Sequence, residues 1–204
     1  MSALPEPYLA PEEYLAIERK AAYKSEYSDG EMYAMSGASR EHNRITVNLV
    51  RVIGNQLRGS SCEPFSADMR VRIPFPRRYV YPDLVVACGE AEFEDDELDV
   101  LLNPVLIIEV LSPSTENYDR GTKLGWYRRI SSLREYVLVS QDSPHIERFV
   151  KRDEGWVLTD TDGIEAVVRL ESIGCQLALA DIYDRVVFPA SEDEDSEPSN
   201  LPTR

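Results

Sequence analysis

Two nearly uninterrupted apolar runs stand out in the middle of the chain, Val80–Cys88 and Val105–Leu111. Each run contains an acid: Asp83 lies near the start of the first, and Glu109 lies inside the second. Runs that are apolar on both faces are typical of central strands in a sheet covered by helices. We therefore predict an α/β (α+β) fold in which a central mixed β-sheet is flanked by helices.

Shorter periodic segments surround these two runs. Apolar residues at helical spacing predict helices, whereas alternation or a short apolar stretch predicts strands. The predicted helices are Pro11–Lys20, Ser39–Leu57 with Ser39 as N-cap, and a helix capped by Ser114 or Thr115 that runs to about Ile130. The predicted strands include a hairpin over Ser25–Met35 that turns at Asp29-Gly30, then Cys62–Phe65, Ala67–Ile73 and Glu135–Gln141, and a second hairpin over His145–Asp160.

The central part of the chain contains no internal repeat and no linker, which predicts one domain over residues 11–188. Residues 1–10 are predicted to form an N-terminal extension, and residues 189–204 an acidic disordered tail. The first residues lack the basic and apolar regions of a signal peptide, and no stretch reaches the ~20 apolar residues of a membrane span. We expect a cytoplasmic protein with no membrane partner.

The formal net charge of −15 argues against a general nucleic-acid binder, because affinity for phosphates comes from basic surface. Much of the charge lies in two acidic runs, Glu90–Asp99 and Glu192–Glu197, which we expect to be solvated. Basic residues before Asp83 and after Glu109 would make a cleft locally positive if they flank it, and scattered solubilising charges are the alternative. These residues are Arg70, Arg72, Arg77 and Arg78, then Arg120, Lys123, Arg128 and Arg129; a third group is Arg148, Lys151 and Arg152.

The cysteines and histidines are few. Cys62, Cys88 and Cys175 are odd in number and widely spaced, so we expect buried unpaired thiols rather than a disulfide framework. His42 and His145 have no third zinc ligand near them in the sequence, which argues against a zinc site.

The two acids of the apolar runs carry the chemical argument. A carboxylate inside a buried strand is costly unless another group pairs it. If Asp83 and Glu109 lie on neighbouring strands and point to one face, they can share a divalent cation. Magnesium (or manganese) suits them, because it takes oxygen ligands and completes its shell with water and substrate phosphate.

The same segments resemble a known family. Tyr81-Pro82-Asp83-Leu84 followed by Ile108-Glu109-Val110-Leu111 resembles the PD-(D/E)XK nuclease signature. Together with Asp29-Gly30-Glu31, Ser36–His42, Ser112–Thr115, Asp119, Lys123, Tyr127 and Glu135–Val139, it resembles the Uma family of restriction-endonuclease-like proteins, which is abundant in cyanobacteria and was long described as a domain of unknown function. The resemblance covers residues 10–185 and implies a restriction-endonuclease-like core. It also implies a metal-dependent hydrolase acting on DNA, with Asp83 and Glu109 as metal ligands.

One position departs from the signature. The usual lysine stands two residues after the strand acid, where this chain has Leu111. The resemblance implies that Lys123, on the following helix, replaces it as the third catalytic residue. Asp119, Lys123 and Tyr127 are spaced i, i+4, i+8 and would share one helix face. The alternative is an ordinary surface pair between Asp119 and Lys123.

Additional candidates come from residues near the predicted site. Glu41 or Glu31 could add a carboxylate from the N-terminal region, His42 could act as a general base, and Asp68 could face the same cleft. For each, an ordinary exposed or satisfied side chain is the alternative. The further candidates are Glu41, Glu31, His42, Asp68, Asp119 and Tyr127.

Three functions remain compatible with these residues. The leading hypothesis is a magnesium-dependent DNA endonuclease that hydrolyses phosphodiester bonds through Asp83, Glu109 and Lys123. A homodimer would suit cleavage of two strands. The second hypothesis is a catalytically degenerate module on the same fold that binds nucleic acid or protein, and the third is a purely structural Glu109.

Overall fold

The computed structural model describes residues 8–189. Its helices are α1 (Pro11–Glu18), α2 (Arg40–Gln56), α3 (Leu124–Tyr127) and α4 (Leu179–Ile182), and a π-helical turn (Tyr118–Lys123) leads directly into α3. Its strands are β1 (Ser25–Ser28), β2 (Glu31–Ala34), β3 (Cys62–Ser66), β4 (Arg70–Ile73), β5 (Arg78–Val80), β6 (Leu84–Cys88), β7 (Val100–Leu101), β8 (Leu106–Val110), β9 (Glu135–Val139), β10 (His145–Arg152), β11 (Gly155–Asp162), β12 (Val167–Leu170) and β13 (Cys175–Ala178). The predicted extension and acidic tail lie mostly outside the described residues.

The strands form one large sheet and two smaller ones. The six-stranded sheet has the order β11-β10-β9-β8-β6-β3; β8 and β9 run parallel, and the other neighbours run antiparallel. A five-stranded sheet has the order β2-β1-β5-β4-β7, and β12 pairs with β13. The predicted mixed central sheet is confirmed, with a second sheet that the sequence pattern did not separate from it.

The central strands bury both of their faces, as the apolar runs predicted. Ile108 packs in a cluster with Ile45 and Ile53 of α2, whereas Ile107 packs in a second cluster with Tyr127 of α3 and with the five-stranded sheet. Because successive side chains of a strand point to opposite faces, Glu109 points to the same face as Ile107. This parity directs the acid toward the π-helical turn and α3.

The run Val80–Cys88 is two strands rather than one. Val80 ends β5 in the five-stranded sheet, and Leu84 begins β6 in the six-stranded sheet. Pro82 lies between them and has no N–H to donate to a strand ladder, so pairing stops there. Asp83 therefore stands at the crossing between the two sheets, directly before β6.

The acidic run Glu90–Asp99 is a loop in which five of the seven acids are exposed, as expected, whereas Glu94 and Asp99 are half-buried. Arg19 of α1 donates hydrogen bonds to both Asp95 and Asp99, and Asp99 also pairs with Arg70. Burial acts to raise the pKa of Asp99, but the hydrogen bond from Arg19 and the charge of Arg70 outweigh it and hold the pKa below its ordinary value. Glu94 and Asp99 depart from the expectation because Arg72 and Arg70 of β4 pair with them.

The cysteine prediction was wrong for two of the three residues. Cys62 of β3 and Cys88 of β6 are directly opposite in the antiparallel ladder, and they form a disulfide. Spacing along the chain could not reveal this pair, because it depends on the register of two strands joined by a long connection. Cys175 is a buried free thiol, as expected, and burial raises its pKa.

Two local predictions are confirmed. Ser39 caps α2, since its side chain accepts a hydrogen bond from the His42 backbone N–H. The hairpin of β1 and β2 turns at Asp29 and Gly30, with φ of 54° and 91°. Within residues 8–189, no helix is long and apolar enough to cross a membrane.

Candidate active site

Asp83 and Glu109 meet because of strand direction. β6 and β8 are antiparallel with Leu84 opposite Ile108, so the start of β6 lies beside the end of β8. The Asp83 carboxylate oxygen Oδ2 accepts a hydrogen bond of 2.8 Å from the Val110 N–H. The Asp83 N–H in turn lies 3.4 Å from Glu109 Oε2. The two acids therefore lie at one end of the sheet, each beside the backbone of the other strand.

Glu109 is held from the helical side by two donors. Its oxygen Oε1 accepts hydrogen bonds from Lys123 Nζ at 3.0 Å and from the Tyr127 hydroxyl at 2.7 Å. Burial raises the pKa of Glu109 to about 8, against the opposing charge of Lys123. The nearby carboxylates of Asp119 and Asp83 raise the pKa further, so this group is unusually ready to hold a proton or a cation.

The helix predicted to run to Ile130 is shorter and wider than expected. Residues Tyr118–Lys123 form a π-helical turn, and only Leu124–Tyr127 follow as α-helix. A π-turn closes i→i+5 hydrogen bonds and is frequent at functional sites. Asp119, Lys123 and Tyr127 still face one side, as their spacing predicted.

Lys123 is the centre of a buried charge cluster. Its Nζ lies 3.3 Å from Glu26 Oε1 and 3.4 Å from Asp119 Oδ1, in addition to its bond with Glu109. Burial would lower the pKa of Lys123, but these three carboxylates raise it well above its ordinary value. Lys123 and Asp119 are 7% and 3% exposed, so the surface-pair interpretation is wrong.

One ammonium faces more negative charge than it can neutralise. Asp119 Oδ1 is buried and, despite its approach to Lys123, has no hydrogen bond of acceptable geometry. Burial raises the pKa of Asp119 as well, with Lys123 acting in the opposite direction. The cluster is thus short of positive charge, which is the condition that favours a bound cation.

His42 pairs with Asp83 from the first turn of α2. Its Nε2 lies 3.2 Å from Asp83 Oδ2, and its Nδ1 is a buried atom without a hydrogen-bond partner. Burial lowers the pKa of His42, but the hydrogen bond and charge of Asp83 outweigh burial and leave the pKa above its ordinary value. His42 therefore has one ring nitrogen held by an acid, and its other ring nitrogen is buried without a partner.

A cavity of about 510 Å³ opens over this cluster. One wall is the extended segment Tyr33–Ser39, and the opposite wall is Ser112–Thr115. His42, Glu109 and Lys123 line it, whereas Asp83 lies outside the lining and reaches it through its contacts with His42 and Glu109. The remaining ionisable residues of the lining are Glu26, Tyr118, Asp119 and Asp142.

Four of the six additional candidates lie outside the cavity lining, and three of these four have their partners elsewhere. Glu31 accepts a hydrogen bond from the Tyr33 hydroxyl, and Glu41 accepts one from the Val187 N–H. Asp68 pairs with Lys24, and its side chain is 89% exposed. The fourth, Tyr127, donates a hydrogen bond to Glu109. Of the two candidates that line the cavity, His42 pairs with Asp83, and Asp119 pairs with Lys123.

Sequence reasoning missed Glu26 and Gln141. Glu26 lies on β1, the other arm of the hairpin that carries Glu31, and nothing in the alternation marked it as the buried acid of the pair. Gln141 follows the apolar strand β9; its amide donates to the Leu111 carbonyl at 2.8 Å and accepts from Ser39 Oγ at 2.7 Å. A buried amide at the end of an apolar strand was the available signal for Gln141.

The basic groups do not make the cavity positive. Arginines of the first group point to acids elsewhere: Arg72 pairs with Glu94 at 3.2 Å, and Arg77 with Glu12 at 2.6 Å. Arg120 of the second group pairs with Glu116 at 2.6 Å. Of all the predicted basic residues, Lys123 is the one that lines the cavity.

The donor set suits a hard cation that keeps some of its water. Within residues 8–189, no three side chains of His, Cys, Asp and Glu form a ready-made metal cage. Magnesium is usually bound through one or two carboxylates, with water and substrate phosphate completing its shell. Asp83 and Glu109 supply such oxygens, and the unpartnered Asp119 Oδ1 marks the shortage of positive charge beside them.

The chain is similar to known proteins over most of its length. It is 38% identical over 185 residues to the uncharacterized protein slr1290 of Synechocystis sp., covering 90% of this chain and 96% of that protein. It is 40% identical over 157 residues to the uncharacterized protein sll1609 of the same organism, covering 76% and 89%. A crystal structure from Anabaena variabilis, described as a putative nuclease belonging to DUF820, superposes with a TM-score of 0.70 at 18% identity, over 86% of this chain and 98% of that one.

That superposition confirms the restriction-endonuclease-like fold. Residues 11–180 match the family Uma2, described as "Putative restriction endonuclease". This match spans α1 through the start of α4 and includes both central acids and Lys123. The chain therefore belongs to the Uma2 family.

Proposed function

We propose that this protein is a magnesium- or manganese-dependent nuclease that hydrolyses phosphodiester bonds of DNA at the cavity over Glu109. The observation that carries the proposal is the convergence of Asp83, Glu109 and Lys123, with Lys123 Nζ 3.0 Å from Glu109 Oε1. The Uma2 description as a putative restriction endonuclease supports the reaction class. The description of the Anabaena protein as a putative nuclease agrees with it.

Asp83 and Glu109 would hold the metal ion through their carboxylate oxygens. When bound, the ion supplies an activated water and neutralises charge on the scissile phosphate. Glu109 is kept in place by the Tyr127 hydroxyl, and Asp83 by the Val110 N–H. These bonds fix both acids before substrate arrives, which limits the reorganisation that catalysis requires.

Lys123 provides a fixed positive charge beside the reacting phosphate. Its ammonium is buried and surrounded by Glu26, Glu109 and Asp119, so it stays protonated and has little freedom to turn away. A preorganised cation of this kind stabilises negative charge that develops in the transition state. Lys123 thus performs from a helical turn the task that the signature assigns to the strand position of Leu111.

His42 provides a proton-transfer group at the same end of the sheet. Asp83 orients the ring through Nε2, and the buried Nδ1 has no hydrogen-bond partner. Imidazole is suited to this role because its pKa lies near physiological pH. We assign His42 the transfer of a proton to or from the water or leaving group.

The direct test is cleavage of supercoiled plasmid in the presence of magnesium or manganese. Asp83→Asn and Glu109→Gln should each abolish cleavage, because each removes a ligand charge without changing side-chain size. The matched control is Glu135→Gln, a fully buried acid of β9 that bonds Ser172 and Arg148 away from the cavity. Persistent cleavage in both site variants would overturn the assignment.

The alternative is a degenerate module that binds nucleic acid or protein without cutting. Leu111 at the usual lysine position favours it, whereas the contact between Lys123 and Glu109 favours catalysis. Calorimetric titration with magnesium and with manganese separates the two. Binding that is lost in Glu109→Gln supports the nuclease, and no heat with either ion supports the degenerate module.

A twofold dimer would suit the proposed reaction on duplex DNA, because two copies of one site could each cut one strand. Sedimentation of the full chain, alone and with a duplex, tests this part of the proposal. A monomer that nicks one strand at a time would contradict the dimer and leave the active site intact.

A further inference from the structure

A shallow basin of about 420 Å³ lies on the outer side of α2, away from the catalytic cavity. Three arginines line it: Arg40 and Arg44 of α2, and Arg185 in the segment after α4. The amide side chains of Asn43 and Asn48 and the carboxylate of Asp184 complete its polar lining. The basin is therefore rich in donors on a chain whose formal net charge is −15.

These arginines have no close carboxylate partner. Several other arginines do bond carboxylates closely, as in Arg77–Glu12 at 2.6 Å, Arg78–Asp29 at 2.7 Å and Arg152–Glu171 at 2.8 Å. In the basin the nearest acids are farther away: Glu41 lies 3.7 Å from both Arg40 and Arg44, and Asp184 lies 3.9 Å from Arg185. These distances exceed a hydrogen bond. Arg44 donates one hydrogen bond to the Arg185 carbonyl, and most of the other guanidinium donors remain available to an anion.

The spacing along α2 extends the basin into a stripe. Arg40, Arg44 and Arg51 recur at intervals of four and seven residues, which places them on one helix face. Arg51 bonds only neutral oxygens, those of Asn48 and the Asp181 backbone. With a rise of about 1.5 Å per residue the stripe spans roughly 16 Å, the axial length of about five phosphates along one DNA strand.

The first arginine of the stripe, Arg40, directly follows a residue that lines the catalytic cavity. Ser39, the residue before Arg40, and His42 in the first turn of α2 both line that cavity. The arginines lie on the opposite side of the helix from Ile45 and Ile53, which pack into the core. A nucleic-acid strand that leaves the cavity past the start of α2 would meet the stripe next.

We propose that Arg40, Arg44, Arg51 and Arg185 form a binding track for the phosphate backbone of the nucleic acid whose cleavage we propose above. The inference rests on that function for the identity of the partner. The track compensates for the acidic cavity, because it supplies phosphate affinity that the cavity lining lacks. Guanidinium groups match phosphate geometry with two parallel donors, which suits them to this task.

Binding of a labelled duplex in chelator-containing buffer, followed by fluorescence anisotropy across a salt series, tests the track without cleavage. The test variant is the triple substitution Arg40→Gln, Arg44→Gln and Arg185→Gln. Each phosphate contact contributes about 0.9 to the salt slope, so the slope should fall by about 2 to 3. Affinity at low salt should fall about tenfold or more.

The control is a triple variant with the same change in net charge, Arg77→Gln, Arg120→Gln and Arg152→Gln. Those arginines are paired with Glu12, Glu116 and Glu171, so the salt slope should stay close to that of the wild type. A second variant, with Arg40, Arg44 and Arg185 changed to lysine, should keep most of the slope. Thermal melting of each variant verifies folding.

The outcomes separate this inference from the proposed nuclease function. Equal slopes in the two glutamine variants would overturn the track, even if the wild type cuts plasmid. Loss of slope in the test variant alone would support the track, even if no metal produces cleavage. A wild type that binds no duplex at any salt concentration would overturn the track as well.

Discussion

The Lys123 ammonium lies 3.0 Å from Glu109 Oε1, joining a π-helical turn to the central strand β8. Both side chains are almost completely buried, so water solvates neither of the charged groups well. Breaking such a pair by removing one partner is strongly destabilising, because the other charge stays buried alone. The contact therefore links the stability of the fold to the chemistry of the site.

Lys123→Met should lower plasmid cleavage by about 100- to 1,000-fold, because a preorganised charge beside the phosphate is lost. It should also lower the free energy of unfolding by about 3–5 kcal/mol. In the double variant Lys123→Met, Glu109→Gln, the free energy of unfolding should be about 1–3 kcal/mol higher than in Lys123→Met, because the unpaired buried acid is gone. Urea denaturation and cleavage assays measure the two effects separately.

The control for this prediction is Lys24→Met. Lys24 pairs with the exposed Asp68 and is itself 40% exposed, so its removal should change unfolding by less than about 1 kcal/mol. Full cleavage activity in Lys123→Met would rule out the assigned role of this lysine.

Gln141→Leu should impair proton transfer more than it impairs folding. Gln141 bonds both Ser39, which caps the helix carrying His42, and the Leu111 carbonyl at the end of the strand carrying Glu109. Loss of these bonds costs about 1–3 kcal/mol of stability and releases the start of α2 from β8. We expect the pH dependence of cleavage, and the NMR titration of the His42 ring, to shift.

Gln56→Leu is the matched control, because Gln56 makes two bonds from the far end of α2 to the Gln176 backbone. It should cost similar stability without moving the pH profile. Identical profiles for wild type and Gln141→Leu would show that Gln141 is not a positioning residue.

Reduction of the Cys62–Cys88 disulfide should lower the free energy of unfolding by about 2–4 kcal/mol. The bond closes a loop with a sequence separation of 26 residues and ties the edge strand β3 to β6. Urea denaturation with and without reductant measures the change. In the double variant Cys62→Ser, Cys88→Ser, the free energy of unfolding should be the same with and without reductant. Three alkylatable thiols in the unreduced, denatured protein would contradict the disulfide.

Acid should weaken the contact between the acidic segment and α1. The folded pKa of Asp99 is below its ordinary value of 3.8, so this acid stabilises the fold above that pH and loses its contribution as pH falls through the lower, folded pKa. Asp99→Asn should therefore be less stable than the wild type near neutral pH, with the difference shrinking in strong acid. The control is Asp160→Asn, on the exposed strand β11. If the free energy of unfolding of the wild type and of Asp99→Asn changed with pH in the same way, the proposed contribution of Asp99 would be refuted.

The elements that could be predicted are those specified by local pattern. Ser39 begins α2 because its side chain satisfies a free backbone N–H, and Asp29-Gly30 turns the hairpin because these residues tolerate positive φ. The apolar run around Glu109 indicates a strand buried on both faces wherever it lies in the sheet. Such features depend on a few adjacent residues and need no knowledge of the rest of the chain.

The features that escaped prediction depend on strand order and register. Cys62 meets Cys88 only because β3 pairs with β6, and Glu26 rather than Glu31 reaches Lys123 only because β1 is the inner strand of its hairpin. Two acids of the acidic segment, Glu94 and Asp99, pair with arginines of a second sheet that the pattern merged with the first. The local pattern of hydrophobic and polar residues does not indicate any of these contacts.

The sequence by itself determined the two central acids, the elements that carry them and the family to which the chain belongs. Side-chain alternation and apolar run length are local consequences of the chain, so they can be read before the fold is known. Only the tertiary structure decided which face Glu109 points to, that Lys123 contacts Glu109, and that three carboxylates share one ammonium. These relations are set by the packing of segments far apart in sequence. Packing buries Glu109 and Lys123 beside each other, and burial together with their mutual contact shifts their pKa values.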